Sequence, residues 1–178
     1  MLLHAYQQKP IANYNTDCIS CTLPNNDSDL IFFTDFWKVV LHPDQSGLGS
    51  CLITARRHVG KLSELTPEEF SEFFQVITIL EPTLEHTFGA TLINLSCDRN
   101  WAYRTENPDP PFKNGKSNPH VHWHLTTRYS TSKEFEGILF EDPSFGEPIT
   151  WRSVKLGQDL KNKIITKIQN ELGIVYDR

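Results

Sequence analysis

The sequence predicts an α+β fold, with a five-stranded, mostly antiparallel sheet, one long helix and a C-terminal helix. Three observations carry it: five short apolar or alternating segments bounded by turn residues, a helical period over 66–89, and a second helical period near the C-terminus. Ile31–Phe33 and Trp37–Leu41 read as strands joined by a turn at Thr34-Asp35, and Ser50–Thr54 as the next strand after a loop over 44–49. Thr66 is placed to cap a helix, with Pro67 in its first turn and Glu69 three residues on to complete a capping box. Phe70, Phe73, Phe74, Ile77, Leu80 and Leu84 then follow helical spacing up to Gly89, and Pro82 is expected to kink or shorten that helix. Ala90–Leu95 and His120–Thr126 complete the strands. The segment 97–118, rich in proline, shows no period, and 136–149 reads as loop. Val154, Leu156, Leu160, Ile164, Ile168 and Leu172 share one helical face before Gly173.

A chain of 178 residues suits a single domain over 1–178 and buries enough surface to need no disulfides. Eleven Phe and four Trp supply large core groups, which excludes disorder as the main state. A formal charge of −5 argues against a binder of nucleic-acid polymers, though not against a small anionic ligand. No apolar run is long enough to span a membrane, and the first residues lack the pattern of a signal peptide. Cys18, Cys21, Cys51 and Cys97 are too few and scattered for a disulfide scaffold, so a reducing, cytoplasmic setting is expected. His4 and His86 are expected at the surface.

The informative segment is Ser117-Asn-Pro-His120-Val-His122-Trp-His124-Leu-Thr-Thr-Arg128. On a strand, alternate side chains share a face, so His120, His122 and His124 line one side and Val121, Trp123 and Leu125 the other. Three imidazoles in a row are poor packing material, because each brings polar nitrogens that need partners. Two chemistries use such a row: a metal site completed by a ligand from elsewhere, and nucleophilic attack on phosphorus by a neutral imidazole. Spacing alone does not separate them.

His120-Val-His122-Trp-His124-Leu-Thr resembles the signature of the histidine triad nucleotide hydrolases and transferases, with Thr126 at a usually apolar position. The resemblance extends upstream through Trp37–Asp44, Gly49–His58 and Leu65-Thr-Pro-Glu-Glu, covers roughly 15–130, and leaves a C-terminal helical extension at about 152–173 outside the shared core. It implies that His122 is the nucleophile, forming a nucleotidyl-histidine that water resolves. His124 and Ser117 would then serve the phosphate and leaving group, Asn94 would hold the phosphate, and Asp44 or His42 would meet the ribose. Asp44 also reads simply as a turn residue before Gly47. Dinucleoside polyphosphates and nucleoside phosphoramidates are the implied substrates, and a homodimer the implied assembly. Because the nucleophile must be neutral, activity is expected to fall below about pH 6.5.

The same resemblance pairs Cys18-x-x-Cys21 with His58 and His120 as a closed, structural zinc site; two ordinary thiols are the plainer reading. Arg99, Arg104, Lys113 and Lys116, interleaved with Trp101, Tyr103 and Phe112, either meet phosphates and a base or form a surface loop packed on its own aromatics. A nucleotide-binding regulator with little turnover, and metal-dependent hydrolysis at the histidines, are the competing functions.

Overall fold

The computed structural model describes residues 3, 15–16, 18–22, 28–150, 152 and 154–174. His4 and the turn-rich stretch at 24–27 lie outside them. Strands β1 (Leu30–Phe33), β2 (Trp37–Leu41), β3 (Cys51–Ala55), β4 (Leu92–Ser96) and β5 (His122–Arg128) form one antiparallel sheet in the order β1-β2-β3-β5-β4. A short helix α1 (Ile19–Thr22) precedes it; α2 (Pro67–Phe88) and α3 (Gln158–Glu171) complete the layers.

Helix α2 starts as the sequence requires. The Thr66 hydroxyl accepts from the Glu69 N–H at 3.3 Å, and the Glu69 carboxylate accepts from the Thr66 N–H at 2.7 Å. It ends at Gly89, whose φ of 69° is the left-handed geometry that glycine adopts without a Cβ clash. Pro82 does not shorten it. Pro82 lies on the exposed face, where water can serve the carbonyl it leaves unpaired, while Phe73, Val76, Leu80, Leu84 and Phe88 keep the buried stripe continuous past it.

One face of the sheet packs on α2. Trp37 donates its indole N–H to the Glu69 carbonyl at 2.8 Å and lies against Phe73, which stacks on Trp123 at 4.7 Å. Val39, Leu41, Ile53 and Leu125 fill the same core with Ile164, Ile165 and Ile168 of α3. That helix begins at Gln158 rather than near Val154, and lies across α2 and β1. From it Gln169 donates to the Ile31 carbonyl at 2.9 Å, covering a polar group that an edge strand would otherwise expose.

Two other expectations change. Within the stretch read as loop, Ile138–Phe140 (β7) pairs with Lys133–Phe135 (β6) across Glu136 and Gly137, both at positive φ (51° and 77°). Glu-Gly is not a usual hairpin signal, but the mirror-image turn needs that backbone, and the hairpin buries Phe135 and Phe140. Strand β5 also starts two residues late, for a reason that bears on the site. No helix among the described residues is long and apolar enough to cross a membrane.

Candidate functional site

On the sheet face away from α2, His122 pairs across to Thr54 of β3. His124 lies between Leu52 of β3 and Ser96 of β4. The alternation read from the sequence therefore holds for these two, with Trp123 and Leu125 turned to the core. His120 departs from it. The last ladder pair is Thr54 with His122, and before it Val121 donates its N–H to the Val59 carbonyl and accepts from the Ala55 N–H. His120 thus precedes the strand, only 1% exposed, and its ring meets residues from two other segments.

Those residues are Cys18, Cys21 and His58. The His120 Nδ1 lies 3.3 Å from the Cys18 Sγ, 3.6 Å from the Cys21 Sγ and 3.2 Å from the His58 Nδ1, and Cys21 to His58 is 3.5 Å. A tetrahedral zinc with Zn–S of about 2.3 Å and Zn–N of about 2.0–2.1 Å gives S···N edges near 3.5 Å and an N···N edge near 3.3 Å. The donor set fits that tetrahedron. The chemistry fits as well: the His120 Nε2–H donates to the Ala55 carbonyl at 2.7 Å, leaving Nδ1 as the lone-pair atom. Between the two thiols a shared hydrogen bond pushes Cys18 up to about 11 and Cys21 down to about 7. The cluster is compatible with structural zinc, which would take both thiols as thiolates. None of the four cysteines forms a disulfide.

His122 is tied the other way round. Its Nδ1–H donates to the His120 carbonyl at 2.9 Å, and that leaves the Nε2 lone pair unengaged by the backbone. The His124 Nδ1 is 3.3 Å from the His42 Nε2, and the His42 Nδ1 is 2.7 Å from the Asp44 carbonyl oxygen. The Asp44 N–H also lies 3.0 Å from the His42 Nδ1, so this backbone offers the ring nitrogen both a donor and an acceptor; the shorter contact, to the carbonyl, gives Nδ1–H on both rings, with His124 donating to His42 and His42 to Asp44. Burial lowers the pKa of His42 and His122, and burial with the neighbouring imidazoles lowers His124 to about 4. The three rings are therefore neutral at pH 7.

The remaining expected residues divide. Asn94 stands on the histidine face of β4 opposite Thr126, its carbonyl oxygen accepting from Arg128 at 2.9 Å. Ser117 is half-buried in the segment leading to β5. The Asp44 carboxylate accepts from the Ser46 hydroxyl at 3.0 Å and the Val154 N–H at 2.9 Å, with Lys155 at 3.7 Å, so it anchors the C-terminal segment while His42 takes the place beside His124. In the segment 97–118, Arg99 donates to the Gly60 carbonyl, Lys113 to Asn15, and Arg104 stacks on Trp101 at 4.1 Å. Arg99 and Lys113 are thereby directed at protein groups rather than at a phosphate.

Two residues escaped the sequence reading. Asp98 accepts from the Ser96 hydroxyl at 2.7 Å, and its charge favours protonation of both His122 and His124. Continuing the alternation of Asn94 and Ser96 beyond the strand would have reached it. Arg128 is buried against Asp142, at 2.5 Å, which no local signal announces.

A family model described as HIT domain matches residues 24–131, whereas no curated protein sequence matches. Among solved structures, a hypothetical histidine triad nucleotide-binding protein from Sulfolobus tokodaii aligns with a TM-score of 0.61 at 13% identity, covering 88% of this chain and 92% of that one. A zinc-bound histidine triad family protein from Mycobacterium smegmatis gives 0.57 at 15%, with 89% and 97% covered. A uridylyltransferase gives 0.55 at 15%, with 90% of this chain and 46% of that one. At such identities these structures speak for the fold alone; the family model, which spans well over half of the sequence, shows that the chain belongs to the HIT-domain family.

Proposed function

We propose that this chain is a nucleotide phosphohydrolase or nucleotidyltransferase working through a nucleotidyl-histidine at His122. The observation that carries the reading is the 2.9 Å hydrogen bond from the His122 Nδ1–H to the His120 carbonyl, which orients the ring and leaves Nε2 with its lone pair. In the first step Nε2 attacks the phosphorus next to the nucleoside, and the bond from phosphorus to the leaving group breaks. In the second, water or another acceptor attacks the same phosphorus and frees His122. His124, oriented by His42, and the Asn94 amide serve the phosphate oxygens, and Ser117 serves the leaving atom. The ribose lies against His42, with Asp44 acting through it. The half-exposed Leu52, packed on Leu30, Phe33 and Val40, offers an apolar seat for the base.

Cys18, Cys21, His58 and His120 would hold zinc, whose part is structural: it ties the N-terminal segment to the backbone that carries the His120 carbonyl. The substrates are dinucleoside polyphosphates or nucleoside phosphoramidates, the assembly is a homodimer, and the setting is cytoplasmic and reducing.

Intact-protein mass spectrometry after a brief, acid-free quench with adenine and guanine substrates tests this. A nucleotide-sized adduct, absent in His122→Ala, is the expected result. Unmodified protein that still binds nucleotide would point instead to a regulatory binder.

A further inference from the structure

The nucleoside end of the proposed site lies beyond His124, where His42 follows β2 and Leu52 offers its apolar seat. A sugar is read through its hydroxyls, and a hydroxyl is held only by a group with a lone pair or an N–H to spare. His42 has neither. Its Nε2 is 3.3 Å from the His124 Nδ1, and its Nδ1 lies 2.7 Å from the Asp44 carbonyl oxygen and 3.0 Å from the Asp44 N–H. Either neutral tautomer uses both nitrogens. Gln45, fully buried, is closed as well. Its amide donates to the His42 and Ser50 carbonyls at 2.7 and 3.0 Å and accepts from the Gly49 N–H at 2.8 Å.

Two carboxylates stand nearby: Asp44, and Asp29, whose carbonyl accepts from the Leu41 N–H at 2.7 Å, one residue before His42. Both are taken by the C-terminal extension, which lies outside the matched residues 24–131. The Asp44 Oδ1 accepts from the Ser46 hydroxyl at 3.0 Å and the Val154 N–H at 2.9 Å, and its Oδ2 faces the Lys155 ammonium at 3.7 Å. The Gln45 N–H donates to the Val154 carbonyl at 3.0 Å and holds the same junction from the other side. The Asp29 Oδ1 accepts from the Gln158 amide at 3.2 Å and its Oδ2 from Lys161 at 2.8 Å, both in the first turns of α3. Ile164 and Ile168 bury that helix in the core, so a packed element keeps both carboxylates in place. What this end otherwise offers is the apolar cluster of Leu30, Phe33, Val40 and Leu52. Against it a hydroxyl gains no bond and loses water.

We infer that the C-terminal extension, by capturing Asp44 and Asp29, leaves the sugar hydroxyls unrecognised, so that 2′-deoxyribonucleosides are substrates on equal terms with ribonucleosides. This rests on the reading of His122 as nucleophile with the nucleoside against His42. Selection then falls to the phosphate, through His124 and Asn94, and to the base, through the apolar seat. Lys155 is the exposed member of the capture, and its ammonium is what a ribose hydroxyl has to displace from Asp44.

The test compares kcat/KM for three forms of one substrate: the 5′-phosphoramidates of adenosine, 2′-deoxyadenosine and 2′,3′-dideoxyadenosine, with the guanosine series in parallel. The wild type is expected to turn over all three within about fivefold, whereas a site built to bond a hydroxyl rejects the analogue lacking it by about 10⁴-fold or more. Asp44→Asn is expected to change kcat/KM by the same factor for all three, since sugar and carboxylate do not interact. If that variant does not fold, Lys155→Ala, at an exposed side chain, bares the Asp44 Oδ2 and is expected to raise the ratio of ribose to dideoxy turnover about threefold or more. A wild-type loss beyond fivefold on removing the hydroxyls, an Asp44→Asn loss confined to the ribose form, or a ratio unmoved by Lys155→Ala overturns the inference. A nucleotide adduct on His122 from the ribose form still supports the nucleophile in each of those cases. No adduct from any of the three overturns the nucleophile and this inference with it.

Discussion

Two histidine clusters meet on one stretch of chain, and each is built as the reverse of the other. At His120 a backbone carbonyl, that of Ala55, takes the Nε2–H and leaves Nδ1 pointing at two thiols and the His58 nitrogen. At His122 a carbonyl, that of His120 itself, takes the Nδ1–H and leaves Nε2 bare. The first arrangement converges donor atoms on a point and closes around it. The second holds a ring by its back edge and presents its front. The same residue type becomes a ligand or a candidate nucleophile according to which nitrogen the backbone occupies.

The sharpest way to break this comparison is to remove one ring from each side. His122→Ala is expected to lower nucleotide turnover by roughly 10³-fold or more, with a thermal midpoint close to wild type. Wild-type turnover in that variant would end the distinction. Stripping metal from the other cluster should do the opposite to stability. At a free zinc concentration about 1,000 times the dissociation constant, binding contributes about 4 kcal/mol, or roughly 8–16 °C in a domain of this size. Thermal melts with and without chelator, repeated on Cys21→Ser, check this; a midpoint indifferent to both would refute the metal centre.

Acid should act on the open cluster with a defined sign. His42 and His124 have folded-state pKa values below the ordinary 6.5, that of His124 at about 4. The unfolded chain therefore takes up protons first. Stability is complete above about pH 6.5 and is lost as pH falls toward 4. Melting across that window should show the decline, and His124→Asn should flatten it; an unchanged slope in the variant would locate the loss elsewhere. The smallest effect is expected from Asp98→Asn. Its carboxylate stabilises the charged form of His124, so the amide should move the acid limb of kcat/KM to lower pH. A limb displaced upward would contradict that placement.

Helix α2 was legible because its signals are local. Thr66, Pro67, Glu69 and Gly89 act within one turn of the backbone they cap, and the apolar period between them needs no knowledge of the rest of the chain. The pair His122 and His124 was legible for a similar reason, since period two decides which side chains share a face. His120 failed that rule because the next residue, Val121, donates its N–H to the Val59 carbonyl, so that His120 lies ahead of the ladder. Asp98 was within reach of the same period carried two residues past β4, whereas the ion pair of Arg128 and the hairpin at Glu136-Gly137 lacked any comparable signal.

By itself the sequence determined the composition of each element, the alternation at the centre of β5 and the candidate ligands, because these depend on neighbours within a few bonds. Only the tertiary structure decided which imidazole nitrogen faces outward, that five of the seven histidines form a row from His58 through His120, His122 and His124 to His42, and that Arg128 is spent on Asp142 and its loop. Those outcomes depend on carbonyls and carboxylates from segments far apart in the chain. A hydrogen bond has no sequence signature until folding brings donor and acceptor within about 3 Å.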